Sequence, residues 1–556
     1  MVQEDSLRSL LDDVEARRID RRAFLQRAFA LGVTPRAAAA VLGSAGVAVP
    51  AGLAAAAQTQ GGTISQAIAS DPETLDPHDT ANSVSWTVFT AIHNALIYKD
   101  LDLTYKGALA ESWDISEDNT EVTFNLREGI TFHDGSEFNA DAVKFSFDRL
   151  ADMGAKNPNY EMALGITTEV IDPLTVKLIF DAPNAAFFNA FTGGYGAILS
   201  PSAVESAGDQ YGRQPVGTNS YKFNEWATGS TVSLTAFEDF AAAPGYYENT
   251  GSPHIDEYVY RVIPEPFAQI ASLETGEIDA VGLTATDLPR FEDDERFEIF
   301  SANSTALNYL GMNVTRPILK DVTVRTAIVH AVDRNELVDT LFEGGLAQAT
   351  ATPLPPSIPG YDEALEATAP AYDPDAAATL LDEAGWIMGD DGVREKDGEK
   401  LLLELYTAST QDRGQQATLI QSQLRKVGID VEINQLEVAA LLDFSPSGEH
   451  DLFLLGWSWS DPDALFLFLS SDRVGTSNHM HYSNPELDAL LIEGQQAMDQ
   501  DVRMDVYRKA QEVILADSPW VALWMPISKT AVNTRVQNVS IYPTGGLLTH
   551  DAWIED

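Results

Sequence analysis

Cysteine is absent from the 556 residues of the chain, so neither disulfide bonds nor thiolate chemistry contribute to its structure or function. This absence neither requires nor excludes an oxidising compartment. Basic residues are scarce: 35 Lys and Arg stand against 84 Asp and Glu, and the formal net charge is −49. Nucleic acids and anionic membranes would repel such a chain, so neither is expected as a partner. The charge is compatible with work at high salt, where self-repulsion is screened.

Long apolar runs are also missing beyond the N-terminal region, since no stretch approaches the ~18 uninterrupted apolar residues of a membrane-spanning helix. A hydrophobic content of 44% and a charged content of 21% are typical of a globular protein. The length allows two large lobes or three to four average domains. We therefore expect a soluble protein without stable membrane insertion.

The N-terminal region carries a twin-arginine sequence, DRRAFL at residues 20–25, followed by an alanine-rich segment that ends in Ala55-Ala56-Ala57. This pattern resembles a bacterial twin-arginine signal peptide with a small-residue cleavage site. An amphipathic helix of the fold is the alternative, and Arg36 argues against a membrane anchor. We expect residues 1–57 to be removed and the mature protein to be periplasmic.

The stretch DLFLLGWSWSDPDALFLFLS, residues 451–470, combines two apolar runs with a polar and aromatic turn. Its first run, residues 452–455, predicts a buried strand that leads into a loop from Gly456. Flat apolar rings beside a few hydroxyls and carboxylates are typical of a small-molecule pocket. Alternatively, the loop belongs to the core and its tryptophans only pack.

Helices alternate with short apolar strands along the rest of the chain, which predicts an α/β architecture. Strands are predicted at 63–69, 121–126, 175–180, 278–281 and 429–433, and a strand running into an Asp-Gly hairpin at 127–135. Helices are predicted at 85–96, after Asn139, from Pro266 to Gly276, after Asp321, after Asp333, from Pro374 to Gly385, and at 419–427.

The sequence lacks the common motifs of catalysis. The sequence has no phosphate-binding glycine loop, no HExxH and no GxSxG. His479 and His481 could share one side of an extended segment and hold a metal, but no third ligand is evident. We therefore predict neither an enzyme, a cofactor nor a metal site.

Seven blocks in order resemble family 5 extracellular solute-binding proteins, which include peptide-, nickel- and oligosaccharide-binding proteins of ABC importers. The blocks are LREGITFHDGSEFNADAVKFSFDRL, PVGTNSYKF, SLETGEIDAVGL, KDVTVRTAIVHAVDR, YDPDAAATLLDEAGW, LGWSWSDPD and YSNPELDALL. Together they extend over nearly the whole mature chain. The resemblance implies a two-lobed periplasmic-binding-protein fold with an extra subdomain in the first lobe.

The same resemblance implies the domain boundaries. The first lobe would comprise residues 58–312 and 528–556, with the subdomain at about 98–215, and the second lobe residues 313–527. Two strand-like crossings, near 308–313 and 524–528, would join the lobes. The protein would be a monomer that delivers its ligand to the membrane subunits of the importer.

The family binds its ligand between the lobes, which implies a set of site residues here. The second-lobe wall would consist of Trp457, Ser458, Trp459 and Ser460, with Asn478 and Tyr482 behind it. Asp71 in the SDPETLDP turn would face this wall from the first lobe, unless it only caps its turn.

One departure from the family concerns the ligand. Peptide-binding members carry an aspartate three residues after the loop tryptophan, where it pairs with the terminal ammonium of the peptide; here that residue is Ser460. Either Asp461 takes over this role, or Trp459 stacks on a sugar ring. A peptide is the first expectation, an oligosaccharide or a nickel chelate the alternatives, and an exported hydrolase the alternative of another class.

Overall fold

A computed structural model of the protein describes residues 61–153 and 164–555. The predicted signal peptide, residues 1–57, lies outside the described residues. None of the helices in the described ranges combines the length and apolar character that a membrane crossing requires.

Strands make up a twelve-stranded sheet and several smaller ones. Their bounds are β1 Thr63–Ile68, β2 Ile97–Lys99, β3 Tyr105–Gly107, β4 Ala110–Ile115, β5 Glu121–Leu126, β6 Ile166–Asp172, β7 Thr175–Phe180, β8 Tyr221–Ala227, β9 Thr231–Ala236, β10 Glu257–Val262, β11 Ala280–Leu283, β12 Phe297–Asn303, β13 Ala306–Met312, β14 Ala347–Ala349, β15 Ile387–Met388, β16 Arg394–Lys396, β17 Glu399–Lys400, β18 Leu402–Ala408, β19 Asp430–Leu436, β20 Leu452–Ser458, β21 Trp520–Asn533, β22 Val536–Gln537, β23 Ser540–Ile541, β24 Leu547–Leu548 and β25 Trp553–Ile554.

Helices connect these strands. Their bounds are α1 Ser83–Phe89, α2 Ala140–Met153, α3 Ala186–Ala190, α4 Pro201–Ala207, α5 Pro266–Thr275, α6 Val322–Ala331, α7 Arg334–Leu341, α8 Glu363–Thr368, α9 Pro374–Glu383, α10 Gln411–Lys426, α11 Val438–Phe444, α12 Ala464–Leu469, α13 Pro485–Gln496 and α14 Gln500–Asp517, with 3-10 turns at Gly194–Gly196, Gly208–Arg213, Leu288–Arg290, Ser445–Ser447 and Ser471–Arg473.

The large sheet has the order β19-β18-β20-β13-β21-β11-β1-β10-β9-β8, with β12 and β14 also paired to β21. In its first half, β1 runs parallel to β10 and β11, and β10 continues into the antiparallel strands β9 and β8. In its second half, β18 runs parallel to β19 and β20. A mixed sheet of parallel and antiparallel strands, connected by helices, confirms the predicted α/β class.

Helices cover both faces of the second half. One face packs on α6, α7, α9 and α10 through an apolar core that includes Leu310 and Leu454. The other face packs on α12, α13 and α14 through a core that includes Leu307 and Trp457. Burial on both faces explains why β20 begins with the continuous apolar run at residues 452–455 rather than with an alternating pattern.

Strand β21 belongs to both halves of the sheet. Its first residues pair with β13 and β14, and its last residues pair with β11 and β12. The pairing changes from β14 at Pro526 to β12 at Ile527. The predicted lobe boundaries are not tested by this pairing and stay predictions.

A separate antiparallel sheet, β4-β5-β7-β6, packs with α2 around an aromatic core. The rings of Phe147 and Phe187 both stack on Phe191, with centroids 5.1 and 4.8 Å away. Met498, between α13 and α14, enters the same core, and the Ala185 amide donates to the Gln495 carbonyl at 2.8 Å. The core of this small sheet therefore extends to the segment that joins α13 and α14.

Helix starts were predicted correctly where an aspartate caps the first turn, because the capping side chain is a local signal. The start predicted at residue 419 was wrong, since α10 already begins at Gln411. Asp321, Asp333 and Asp373 each accept a hydrogen bond from a backbone amide in the first turn of their helix. Gly276, at φ +76°, ends α5 in the left-handed conformation that favours glycine.

Predictions were wrong where distant segments compete for the backbone. The helix predicted over 85–96 ends at Phe89, since the Thr90 carbonyl accepts from Asn219 Nδ2 and the Ala91 carbonyl accepts from the Tyr221 amide. Residues 127–135 form no strand, only a single bridge from Thr131 to Glu137. The predicted loop at Gly456 begins later, because β20 stays paired with β13 through Ser458.

Buried histidines in the first half of the fold predict destabilisation by acid. Burial lowers the pKa of both His78 and His133 to about 4, and the pKa of His93 falls well below 6.5. The unfolded chain takes up protons near pH 6.5, whereas these rings stay neutral to about pH 4, so stability is lost as the pH falls between those values. A lowering of this size corresponds to roughly 3 kcal/mol per fully buried histidine.

The measurement is urea unfolding at pH 7, 6 and 5. We expect the free energy of unfolding to decrease as the pH is lowered. In a His78→Gln variant, whose amide can still donate to the Ala197 carbonyl, this decrease should be smaller. An unchanged slope in that variant would exclude His78 as a source of the effect.

Candidate functional site

The carboxyl ends of β18, β19 and β20 lie at one edge of the second half of the sheet, because these three strands are parallel. The antiparallel strand β13 begins at the same edge. Ligands of open α/β sheets bind outside the carboxyl ends of the strands. This edge carries the predicted Trp457–Ser460 residues and is the candidate site.

Trp457 is only 5% exposed and packs in the core shared with α12. Its ring stacks on Phe468, with centroids 5.7 Å apart and an interplanar angle of 19°. The indole Nε1 is buried without a hydrogen-bond partner in the described structure. Most of the surface of Trp457 is therefore buried by packing, as expected if this tryptophan belongs to the core and does not line a pocket.

The next three residues remain accessible. The Ser458 hydroxyl lies 3.2 Å from that of Thr305, beside the start of β13. Trp459 is 44% exposed and offers a free aromatic face. Ser460 Oγ exchanges hydrogen bonds with the side-chain amide of Asn189, at 3.1 and 3.2 Å. The accessible part of the predicted wall is therefore Ser458–Ser460.

Asp461 forms a buried ion pair. Its two carboxylate oxygens accept from Arg503 Nη1 at 2.8 Å and Nη2 at 2.7 Å, and the side chain is 1% exposed. Oδ1 also accepts from the Asp463 amide at 2.9 Å. Both oxygens of Asp461 thus have partners within the protein. Neither is free to pair with the terminal ammonium of a peptide, the role suggested for Asp461.

Asp463 lies beside this pair with a different electrostatic environment. Burial, reinforced by the charge of Asp461, raises the pKa of Asp463 to about 6. Its Oδ1 accepts from the Tyr507 hydroxyl at 3.1 Å and its Oδ2 from Gln495 Nε2 at 3.2 Å. The DPD segment therefore anchors the loop to α13 and α14.

Asn478 and Tyr482 are buried behind the loop region. Asn478 Nδ2 donates to the carbonyls of Ser470 and Tyr482, and the Tyr482 hydroxyl donates to Asp517 Oδ2 at 2.6 Å. These hydrogen bonds, within the turn that precedes α13 and to the end of α14, occupy the polar side-chain atoms of both residues. Both residues support the site from within rather than line it.

Asp71 follows β1 at the corresponding edge of the first half. Its carboxylate accepts from Trp226 Nε1 at 2.9 Å and from the Gly229 amide at 2.6 Å. It therefore fixes the hairpin between β8 and β9, a distant turn, whereas the alternative role was the capping of its own SDPETLDP turn. The Arg213 guanidinium lies 3.6 Å from the Trp226 ring and completes this cluster.

Lys99 is a residue that sequence reasoning missed. It ends β2, and its Nζ donates to Asn189 Oδ1 at 2.5 Å and to the Ser460 carbonyl at 3.0 Å. Burial lowers its pKa to about 8; the charge of Asp461 opposes this effect and that of Arg503 adds to it. No local pattern around residue 99 could have indicated a contact across 361 positions of sequence.

Arg413 is a second cation that the sequence reasoning did not single out. It lies in the first turn of α10, which begins just after the carboxyl end of β18. Burial lowers the pKa of its guanidinium, and the Tyr309 phenol of β13 opposes this effect. Its Nη1 donates to Gln416 Oε1 at 3.0 Å, and no ion pair to it is found in the described ranges.

His479 and His481 were considered as metal ligands. His479 is buried with its ring stacked on Phe453, and its carbonyl accepts from His450 Nε2 at 2.7 Å in one tautomer. Among the described residues, no group of three or more His, Cys, Asp or Glu side chains is arranged to hold a metal ion.

The chain was compared with known proteins. Residues 104–477 match the family model described as bacterial extracellular solute-binding proteins, family 5 middle. The glutathione-binding protein GsiB of Escherichia coli K12 is 31% identical over 498 residues, which cover 87% of this chain and 93% of GsiB.

Solved structures show the same architecture. HbpA2 from Haemophilus parasuis superposes with a TM-score of 0.78 at 25% identity, over 89% of this chain and all of HbpA2. The periplasmic binding protein DppA from Helicobacter pylori, solved with the peptide STSA, superposes with a TM-score of 0.63 at 28% identity, over 90% of this chain and 99% of DppA.

Proposed function

The chain belongs to the family 5 bacterial extracellular solute-binding proteins, the substrate-binding proteins of ABC importers, and on this premise we propose that it captures a small peptide between two lobes. The observation that carries the proposal is the accessible segment Ser458–Ser460 at the carboxyl edge of the second half of the sheet. Relatives that bind glutathione and the peptide STSA make a peptide the first choice of ligand.

Each part of the edge has a role that suits a peptide. Trp459 covers apolar side-chain surface of the ligand with its exposed ring. Ser458 provides a hydroxyl for the peptide backbone. Arg413, desolvated and without an ionic partner in the described structure, pairs with the terminal carboxylate, since a guanidinium and a carboxylate form strong charge-assisted hydrogen bonds.

Capture involves a conformational change and no covalent step. A ligand that contacts both lobes favours the arrangement in which both sets of contacts are made, and so closes the hinge. The closed monomer then presents the ligand to the membrane subunits of the importer. The twin-arginine segment would place the protein in the periplasm, where this exchange occurs.

Thermal unfolding in the presence of candidate ligands tests the proposal. We expect glutathione or trialanine to raise the melting temperature, because a ligand that binds only the folded state adds roughly 2.7 kcal/mol at a concentration of 100 Kd. Maltotriose and nickel–histidine serve as probes of the alternative classes. Native mass spectrometry of the purified protein identifies any ligand that is retained.

A rise with maltotriose alone would replace the peptide by an oligosaccharide and assign Trp459 a sugar-stacking role. A rise with nickel–histidine alone would favour a chelate carrier. Turnover of a peptide during the incubation, detected as free amino acids, would favour the hydrolase class.

A further inference from the structure

Lys99 ends strand β2 of the two-stranded sheet β2-β3 and contacts the Ser458–Ser460 segment. Its backbone carbonyl accepts from the Tyr542 hydroxyl at 2.9 Å, which fixes the end of β2. Its side chain passes the Tyr105 ring, 5.7 Å from Nζ to the ring centroid, and ends at the Ser460 carbonyl. The ammonium is therefore held in place at one end of the proposed site.

The hydrogen bonding of this ammonium is incomplete. A lysine ammonium has three protons to donate. Two acceptors are found in the described ranges, Asn189 Oδ1 and the Ser460 carbonyl, and both are neutral. A partly buried charge with an unused donor is costly unless a partner supplies the missing interaction.

The surrounding charges do not supply that partner. The carboxylate whose charge influences Lys99 is that of Asp461, and both of its oxygens accept hydrogen bonds from Arg503. Arg503 itself adds a second positive charge to the surroundings of Lys99. This end of the segment thus presents a cation in a protein whose acidic residues outnumber its basic ones by 84 to 35.

We propose that Lys99 is a specificity-determining residue whose third proton donates to a carboxylate of the ligand. The inference rests on the proposed function and names its substrate class: short peptides that present a carboxylate, and not a free ammonium, at Ser460. An ammonium there would meet the like charge of Lys99 and lose affinity. Acidic or N-acylated peptides with a carboxylate at that end are accepted.

Three forms of one peptide test the assignment by isothermal titration calorimetry. Trialanine carries a free ammonium, N-acetyl-trialanine carries none, and N-succinyl-trialanine carries a carboxylate in its place. We expect the native protein to bind the succinyl form most tightly and the free form most weakly. The affinity for the succinyl form should exceed the affinity for the acetyl form by about tenfold or more, the effect expected of one charge-assisted hydrogen bond.

Lys99→Met retains most of the apolar stem and removes the charge, so it should abolish the preference for the succinyl form. Lys106→Met is the matched control, because Lys106 is an exposed lysine on the adjacent strand β3. It should leave the rank order of the three peptides unchanged. The melting temperatures of both variants without ligand show that the fold is intact.

The possible outcomes distinguish a wrong role for Lys99 from a wrong assignment of peptide capture. Binding of peptides with the same rank order in native protein and Lys99→Met overturns the role of Lys99 and leaves peptide capture standing. Binding of none of the three forms by the native protein overturns peptide capture and the role of Lys99 together.

The pH dependence gives a readout that a purely structural lysine would not. Burial lowers the pKa of Lys99 to about 8, and the groups around its ammonium are Tyr105, Asn189, Ser460, Asp461 and Arg503. The succinyl form needs the protonated amine, so its affinity should fall above pH 8. The acetyl form should show no such fall, and equal profiles would overturn the proposal.

Discussion

Replacement of Asp461 by asparagine is expected to lower the free energy of unfolding by about 3–5 kcal/mol, the usual cost of removing one partner from a buried ion pair. The side chains of Asp461 and Arg503 are 1% and 3% exposed, so solvent cannot compensate for the missing charge. The guanidinium would remain buried next to Lys99, a second cation. Urea unfolding at pH 7 measures the effect.

Asp391→Asn is the matched control. Asp391 pairs with Lys400, but both side chains are about half exposed, and solvent-screened pairs of this kind contribute little to the free energy of unfolding. A double variant that combines Asp461→Asn with Arg503→Met should recover part of the lost stability, since it removes the unpaired charge. A stable Asp461→Asn variant that no longer binds peptide would instead restore Asp461 as a ligand contact.

The sequence is a good guide to features that are local. The caps at Asp321, Asp333 and Asp373 depend on residues within one helical turn, and the structure has them as predicted. The α/β class follows from alternation of apolar strands and amphipathic helices, which needs no knowledge of distant contacts.

The sequence is a poor guide to features that depend on distant partners. Asp461 and Asp463 flank Pro462 in the same motif, yet only the fold shows that Arg503 neutralises one while burial raises the pKa of the other to about 6. The sequence likewise does not distinguish Trp457 from Trp459, although Trp457 is buried against Phe468 and Trp459 is exposed to solvent.

The same limit explains the two missed cations. A lysine at the end of a short strand and an arginine in a first helical turn are ordinary residues in sequence. They become candidates only because β2 meets Ser460 and α10 starts at the edge where β18 ends. In an acidic chain, desolvated cations that lack a carboxylate partner are the informative exceptions.

Arg413→Gln is expected to weaken binding of a peptide carboxylate by ~30-fold or more, since loss of one partner of a desolvated charge pair costs about 2 kcal/mol or more. Calorimetry with N-succinyl-trialanine and with its C-terminal amide isolates the interaction. The native protein should prefer the acid strongly over the amide. The variant should bind both with similar affinity, because the amide lacks the charge that Arg413 pairs with.

Arg425→Gln is the control on the same helix. Arg425 lies in the last turn of α10, far along the helix from the site, and pairs with Asp430 at the surface. It should leave the preference for the acid unchanged, which excludes a general effect of lowering the positive charge of α10. If Arg413→Gln keeps the native preference, the carboxylate binds elsewhere on the edge. If that variant loses the succinyl-over-acetyl preference instead, the peptide lies in the reverse direction, with its C-terminal carboxylate on Lys99.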